Sequence, residues 1–389
     1  MRTDLKSRLK RIRDAGERPA KLKNETPKED FSVLDKNLWP CWEEAGFKVL
    51  KRKLLVELKS RVNETFPETL AVLVPDILRL GRLPTPDELI IFDLETTGLS
   101  GGAGTLAFLA AFGRFASPGS NGPARMEITQ YLLLDYSGDP DFIERVIAEF
   151  NFEESPSSSS PVVVSYNGKS FDSQILKTRC LMNGLSPPVF SHADLLHPAR
   201  RLWKQMLPDC SQAVIEVSVL GLDRTGDVSG AMAPEIWFSF LRSGDNSELL
   251  SVCDHNVSDI TGLASLFLAF TEIAGNPLES GYRFDIGALA LSWHKALKNN
   301  PRFFNDDSQN NYATTGKLLL ETAVRNGSPQ AAIVLAINAE WKLKDPALAL
   351  TYTESALASA EISVKFREEI EKRRQRLINK LQFVGELAI

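Results

Sequence analysis

Apolar positions along this 389-residue chain follow two rhythms, and the change between them organises it. From Asp87 onward, short apolar runs alternate with turn residues. Glu88 to Glu95 reads as a buried strand, Thr105 to Phe115 as a second and Glu127 to Leu134 as a third, which suggests a meander. Asp139 to Phe150 then switches to helical periodicity, with Phe142, Val146, Ile147 and Phe150 on one face. Pro161 to Tyr166 predicts a fourth strand and Asp172 to Leu181 a helix after it, with the polar stretch Glu153 to Ser160 as a loop between. The order β-β-β-α-β-α is that of an α/β domain, a mixed sheet flanked by helices. From about Pro187 to Ala274 most segments read as helices. Residues 276–389 are helical and carry no strand pattern. There, Ala331 to Trp341 and Asp345 to Leu357 predict an antiparallel helix pair whose small residues allow close approach, as in a tetratricopeptide-type unit or an ordinary helical cap.

Residues 1–86 form an extension of different character. Leu5, Leu9 and Ile12 recur at helical spacing among Lys6, Arg8, Lys10, Arg11 and Arg13, predicting a basic amphipathic helix. Such a helix suits an arm that contacts nucleic acid, or simply a solvated surface. Phe47 to Leu58 predicts an edge strand or hairpin. The expected organisation is therefore 1–86 as a basic extension with a small structured part, 87–275 as the α/β domain, and 276–389 as a helical region.

Charge and composition narrow the class. No window approaches the ~20 apolar residues of a membrane span, and Met1 to Lys23 lack the apolar core of a secretory signal. Cys41, Cys180, Cys210 and Cys253 are widely separated, which argues against a zinc site or disulfide framework and makes a reducing cytoplasm the expected location. A net charge of −5 hides its distribution. The acidity belongs to residues 87–275, while both flanks carry a basic excess able to attract a phosphate backbone.

Three short motifs carry candidate chemistry. In Ile-Ile-Phe-Asp93-Leu-Glu95-Thr-Thr-Gly98, alternate positions of a strand share a face, so Asp93 and Glu95 project together just before a turn. Two such carboxylates repel unless a cation compensates them, and a divalent metal is the natural compensator. Tyr166-Asn-Gly-Lys-Ser-Phe-Asp172 supplies a third acid, at a helix start where capping is the alternative role. Its Gly168-Lys169-Ser170 imitates the end of a P-loop, but Val163 stands where that motif's first glycine belongs, which excludes a triphosphate cradle. In His255-Asn-Val-Ser-Asp259 the i, i+4 spacing places both side chains on one helix face. Four carboxylates and one imidazole suit two Mg²⁺ or Mn²⁺ ions held by hard oxygen ligands, with the histidine accepting a proton from the attacking water.

With these motifs the chain resembles the DEDD superfamily of ribonuclease-H-like 3′-to-5′ exonucleases, and more narrowly the bacterial YprB/MrfB type. The resemblance runs through Asp93 to Phe108, Tyr166 to Asp172, His192 to Trp203 and His255 to Asp259, covering about Glu88 to Phe270 and, more loosely, the helical C-terminus. It implies a ribonuclease-H-like fold with Asp93, Glu95, Asp172 and Asp259 as metal ligands and His255 as general base. The His-x-x-x-Asp spacing is that of the subgroup with tyrosine at this position, whereas the residue is that of the histidine subgroup. Thr96, Asn167, Lys169, Arg200 and Arg201 are candidate substrate contacts, with Trp203 as a base-stacking partner, and His192 and Asp194 lie near the site as supporting candidates. The implied activity is metal-dependent removal of nucleotides from a 3′ end in DNA repair, beside a superfamily-2 helicase. DNA is favoured over RNA as substrate. The alternatives are an RNA-trimming enzyme of the same fold and a non-catalytic adaptor that works through its C-terminal helices.

Overall fold

The computed structural model describes residues 39–386 except 79–80, 99–103, 117–122, 152–160, 302, 305–310 and 360–361. The basic helix expected around Leu5, Leu9 and Ile12 lies outside the described residues. The chain divides into Met1–Trp39 and Pro40–Ile389, and everything below concerns the second unit.

Its centre is a seven-stranded sheet: β1 (Glu43–Gly46), β2 (Val49–Glu57), β3 (Leu89–Thr96), β4 (Ala107–Ala116), β5 (Arg125–Leu133), β6 (Val162–Ser165) and β7 (Ser191–Asp194), in spatial order β1-β2-β5-β4-β3-β6-β7. The expected meander β3-β4-β5 is antiparallel, and β6 and β7 add to β3 in parallel. Parallel pairing requires crossovers. These are supplied by α1 (Asp139–Ala148) before β6 and α2 (Asp172–Met182) before β7. Leu89 to Phe92 are entirely buried because both faces of β3 are covered; half-burial begins only at Asp93.

Two elements differ from expectation. Ser191–Asp194 is a strand in a stretch whose segments mostly read as helices; its residues offer no apolar alternation and only pairing with β6 defines it. Phe47 to Leu58 does form a hairpin with β1, but β2 also pairs with β5 over its whole length, from Val49 opposite Leu133 to Glu57 opposite Arg125. Residues of the N-terminal extension thereby complete the same sheet, and the division at 86/87 is one of composition.

Five further helices complete the nuclease-sized part and its edge: α3 (Leu196–Trp203), α4 (Gln212–Ser218), α5 (Ala233–Ser243), α6 (Ser247–Gly275) and α7 (Ile286–Asn299). The long α6 lies on β3 and β4 and fills the core with Ile260, Leu263, Phe267 and Phe270. Gly113 makes that approach possible, because a Cβ there would stand 2.8 Å from Ile260 Cγ2. Among the described residues α6 is the one helix long and apolar enough to cross a membrane, and 67% of its apolar window is buried inside the protein, as in a core helix. Beyond α7, α8 (Tyr312–Arg325), α9 (Pro329–Trp341), α10 (Pro346–Leu357) and α11 (Val364–Glu386) pack each against the next. Ser328 and Asp345 cap α9 and α10, the helix pair read from the sequence. The buried carboxylate of Glu340 is held by Arg373 at 2.7 Å and Arg376 at 2.9 Å, fastening α11 to α9.

Candidate active site

The three motifs converge at the end of β3. Strand alternation turns Asp93 and Glu95 to one face, and α6 crosses that face. On α6, His255 and Asp259 are one turn apart, with His255 Nε2 3.2 Å from Asp259 Oδ2. Ligand atoms of Glu95, His255 and Asp259 all lie within 4.8 Å of one another. Asp172 is the first residue of α2 and is 4% exposed; the N-cap position belongs to Phe171.

The turn delivering Asp172 is built for closeness. Asn167 adopts φ 63°, and Gly168 follows where a Cβ would stand 2.6 Å from both Asp172 Oδ2 and Ser165 Oγ. Asp194, at the end of β7, clamps this turn: Oδ1 accepts the Asn167 and Leu196 amides at 2.9 and 3.0 Å, and Oδ2 accepts the Lys169 amide at 3.1 Å. His192 sits behind it between Ser165 Oγ and Ser173 Oγ, at 2.7 and 3.1 Å. Burial pushes its imidazole down to about 4, leaving it a neutral prop at physiological pH.

The acids are electrostatically frustrated. Burial, then repulsion from Asp172, Asp259 and Glu95, raises the Asp93 carboxyl well above its usual range, against the opposing hydrogen bond from Asn256. Glu95 is pushed up to about 8 by burial and by Asp259 and Asp172. Asp172 rises to about 7 through burial and the nearby Asp194. Asp259 is raised by burial, with His255 and Arg224 holding it partly down. Buried carboxylates that repel one another, with Glu95 and Asp172 pushed up to about 8 and 7, form an oxygen-donor cluster suited to a divalent cation, which would take the place of their protons. Glu95, His255 and Asp259 could hold it with the ligand atoms they bring together, and Asp93 and Asp172 lie near enough to join them.

The candidate substrate contacts separate into available and committed groups. Arg200 is exposed on α3. Lys169 is exposed and paired with Asp76 at 2.8 Å. Thr96 Oγ1 donates to the Gly98 carbonyl at 3.1 Å beside Glu95. Arg201 is exposed as well, but its Nη1 donates to the carbonyl of Leu73 at 3.3 Å, which ties that end of its guanidinium to the fold. Trp203 is 1% exposed, its indole N–H bound to the Arg283 carbonyl at 2.8 Å; it cannot stack on a base, which corrects the expectation drawn from its basic neighbours.

Sequence reasoning missed four polar residues that the fold brings to the site. Asn256 Nδ2 donates to Asp93 Oδ2 at 2.8 Å, and its Oδ1 accepts from Gln130 Nε2 at 2.7 Å. Arg224 Nη2 donates to Asp259 Oδ1 at 2.7 Å, and Asp227 Oδ1 lies 2.8 Å from His255 Nδ1. Asn256 stands inside a motif, one residue after His255, and its inward position could have been read from the helix period. The others had no local signal.

Comparison with known proteins agrees with this geometry. Residues 90–270 match the RNase_H superfamily. YprB of Bacillus subtilis is 35% identical over 185 residues, which is 47% of this chain and 41% of that protein. The chain thus spans well under half the length of this relative. A solved family B DNA polymerase from Pyrobaculum calidifontis covers 56% of this chain and 30% of its own at 13% identity, with a TM-score of 0.35, too low to bear on fold or function. With its mixed sheet and flanking helices, the segment 90–270 has an RNase H-like architecture and is similar to the RNase_H superfamily and to the matched stretch of YprB.

Proposed function

We propose that this chain is a metal-dependent 3′-to-5′ exonuclease acting on DNA. The observation that carries the reading is the convergence of Asp93, Glu95, Asp172 and Asp259 with His255, all four acids displaced upward in pKa. Two divalent ions, Mg²⁺ or Mn²⁺, would supply an activated water and offset charge developing on phosphorus. The chain's own residues do the rest. The four carboxylates would hold the ions, Asp194 and Gly168 fix the turn that carries Asp172, Asn256 fixes Asp93, and His255 would accept a proton from the attacking water. Arg200 and Lys169 are placed to meet phosphates at the rim, with Thr96 and the Asn167 turn nearer the reacting end.

Full-length protein with Mn²⁺ should shorten a 5′-labelled single-stranded DNA stepwise and release nucleoside 5′-monophosphates. Asp172→Ala and His255→Ala should each abolish this while melting like the parent. Undiminished activity in Asp172→Ala would overturn the reading. Matched RNA run in parallel distinguishes a DNA enzyme from an RNA-trimming one. Work in the cytoplasm in DNA repair, beside a superfamily-2 helicase, extends the proposal on the family resemblance alone; co-purification with such a helicase tests it.

A further inference from the structure

Asp227 stands outside the four-acid set, yet it is the acid that grips the far side of the proposed base. It lies on the loop between α4 and α5 with both oxygens committed. Oδ1 is 2.8 Å from His255 Nδ1, and Oδ2 accepts from Arg224 Nη1 at 2.6 Å. The same loop closes over the ring at Gly230, where a Cβ would stand 3.2 Å from His255 Nε2. Arg224 is itself anchored, its Nε donating to Glu216 Oε2 at 2.6 Å. Glu216 is wholly buried and pressed against α6 at Gly262, the one residue type that leaves room for its carboxylate.

We infer that Asp227 is the positioning residue of His255, fixing which ring nitrogen carries the proton and hence which accepts one. The inference rests on the exonuclease reading for what the imidazole does; the tautomer it concerns is a property of the protein alone. An ionised carboxylate only accepts hydrogen bonds, and of the two that meet the ring Asp227 Oδ1 at 2.8 Å is closer than Asp259 Oδ2 at 3.2 Å, so the one proton of the neutral ring goes to Nδ1. In the neutral ring the lone pair is then on Nε2, the nitrogen facing Asp259. Arg224 makes the arrangement one-way, because a guanidinium only donates and must face an oxygen. In Asp227→Asn the amide oxygen therefore stays with Arg224 and the NH₂ group turns to Nδ1. That nitrogen must become the acceptor, the proton moves to Nε2, and the site loses its base although size and packing are unchanged.

The test uses full-length protein labelled with ¹⁵N-histidine, free of metal, at a pH where the ring is neutral. Long-range ¹H–¹⁵N spectra distinguish the tautomers of the four histidines, with His255 assigned from the signal missing in His255→Gln. The wild type should carry the Nδ1–H form and Asp227→Asn the Nε2–H form. On a single-stranded DNA oligonucleotide with Mn²⁺, Asp227→Asn should lose about a hundredfold or more in kcat, with KM unchanged and the melting temperature preserved. Asp227→Ala should lose less than Asp227→Asn, since water can still accept from Nδ1–H. A purely structural role predicts the opposite order, the isosteric Asn being the milder change. A wild-type His255 in the Nε2–H form, or Asp227→Asn with parental kcat and tautomer, would overturn the inference, and the wild-type spectrum decides even if the variant does not fold. A wild type without nuclease activity would overturn the proposed function instead, and the two tautomers would still decide the role of Asp227.

Discussion

Asn256 on α6 and Asp93 on β3 are joined by a 2.8 Å hydrogen bond across 163 residues of chain. The bond ends a buried polar series: Arg52 Nε donates to Gln130 Oε1 at 2.6 Å, and Gln130 Nε2 to Asn256 Oδ1 at 2.7 Å. A strand of the N-terminal extension thus supports an acid of the site through two amides. Asn256→Ala should destabilise the protein by about 2 kcal/mol, because an amide hydrogen of buried Gln130 loses its acceptor. It should also raise the Asp93 pKa further, since this bond is what opposes burial there, and move the acid limb of the pH–rate profile to higher pH. Urea unfolding and a pH–rate series check both, and an unchanged profile would separate Asn256 from the site.

Metal-free stability should fall as pH rises. Glu95 and Asp172 have folded pKa values near 8 and 7, above the ordinary carboxylate values they regain on unfolding. The folded state then binds more protons between those limits, so its advantage is complete below about pH 4 and lost as pH climbs through 7 to 8. Other groups govern acid unfolding, so the comparison belongs between pH 5.5 and 8.5, roughly spanning the two transitions. In chelator the melting temperature should drop by several degrees over that range, and Mn²⁺ should restore it more at the upper end. A Mn²⁺ effect independent of pH would count against metal binding by these acids.

Gly168→Ala should be damaging out of proportion to its size. The added methyl would meet Asp172 Oδ2 and Ser165 Oγ at 2.6 Å, and the turn has to open to accept it. Overpacking of this kind costs about 1–3 kcal/mol. The larger effect should be on turnover, as Asp172 shifts from its partners. Melting and Mn²⁺-dependent DNA hydrolysis, measured together, should show activity nearly lost in a protein that still folds.

Arg200 and Arg201 are adjacent yet should report different properties. Exposed Arg200→Ala should weaken DNA binding at low salt and matter little at high salt. Arg201→Ala frees the Leu73 carbonyl and should lower the melting temperature with little change in salt dependence. Fluorescence anisotropy across a salt series, paired with thermal unfolding, tests the contrast; identical behaviour would refute it.

Legibility followed the range of each interaction. The strands β3 to β6, helices α1 and α2, and the acids Asp93, Glu95, Asp172 and Asp259 lie in segments where apolar periodicity and a turn residue occur within a few positions of each other. Strand β7 is four residues long, with His192 and Asp194 facing props and backbone amides, so no apolar alternation betrays it. Asp227 meets His255 across 28 residues and Arg52 meets Gln130 across 78, and nothing local marks Asp227, Arg52 or Gln130. Trp203 misled because basic neighbours suggest a nucleic-acid surface, while an indole beside the α3 core faces inward.

The pairing of β2 with β5 limits where the chain can be cut. A fragment begun near residue 87, where the family match suggests starting, would strip β5 of its neighbour and leave nine residues of unpaired backbone on a strand that is buried over most of its length. Such an edge recruits other chains, so the fragment should self-associate rather than remain a working miniature of the enzyme. Gln130 would also lose Arg52 from its buried side. A start near residue 40 keeps β1 and β2 on the sheet and, with Arg52, the support of the site.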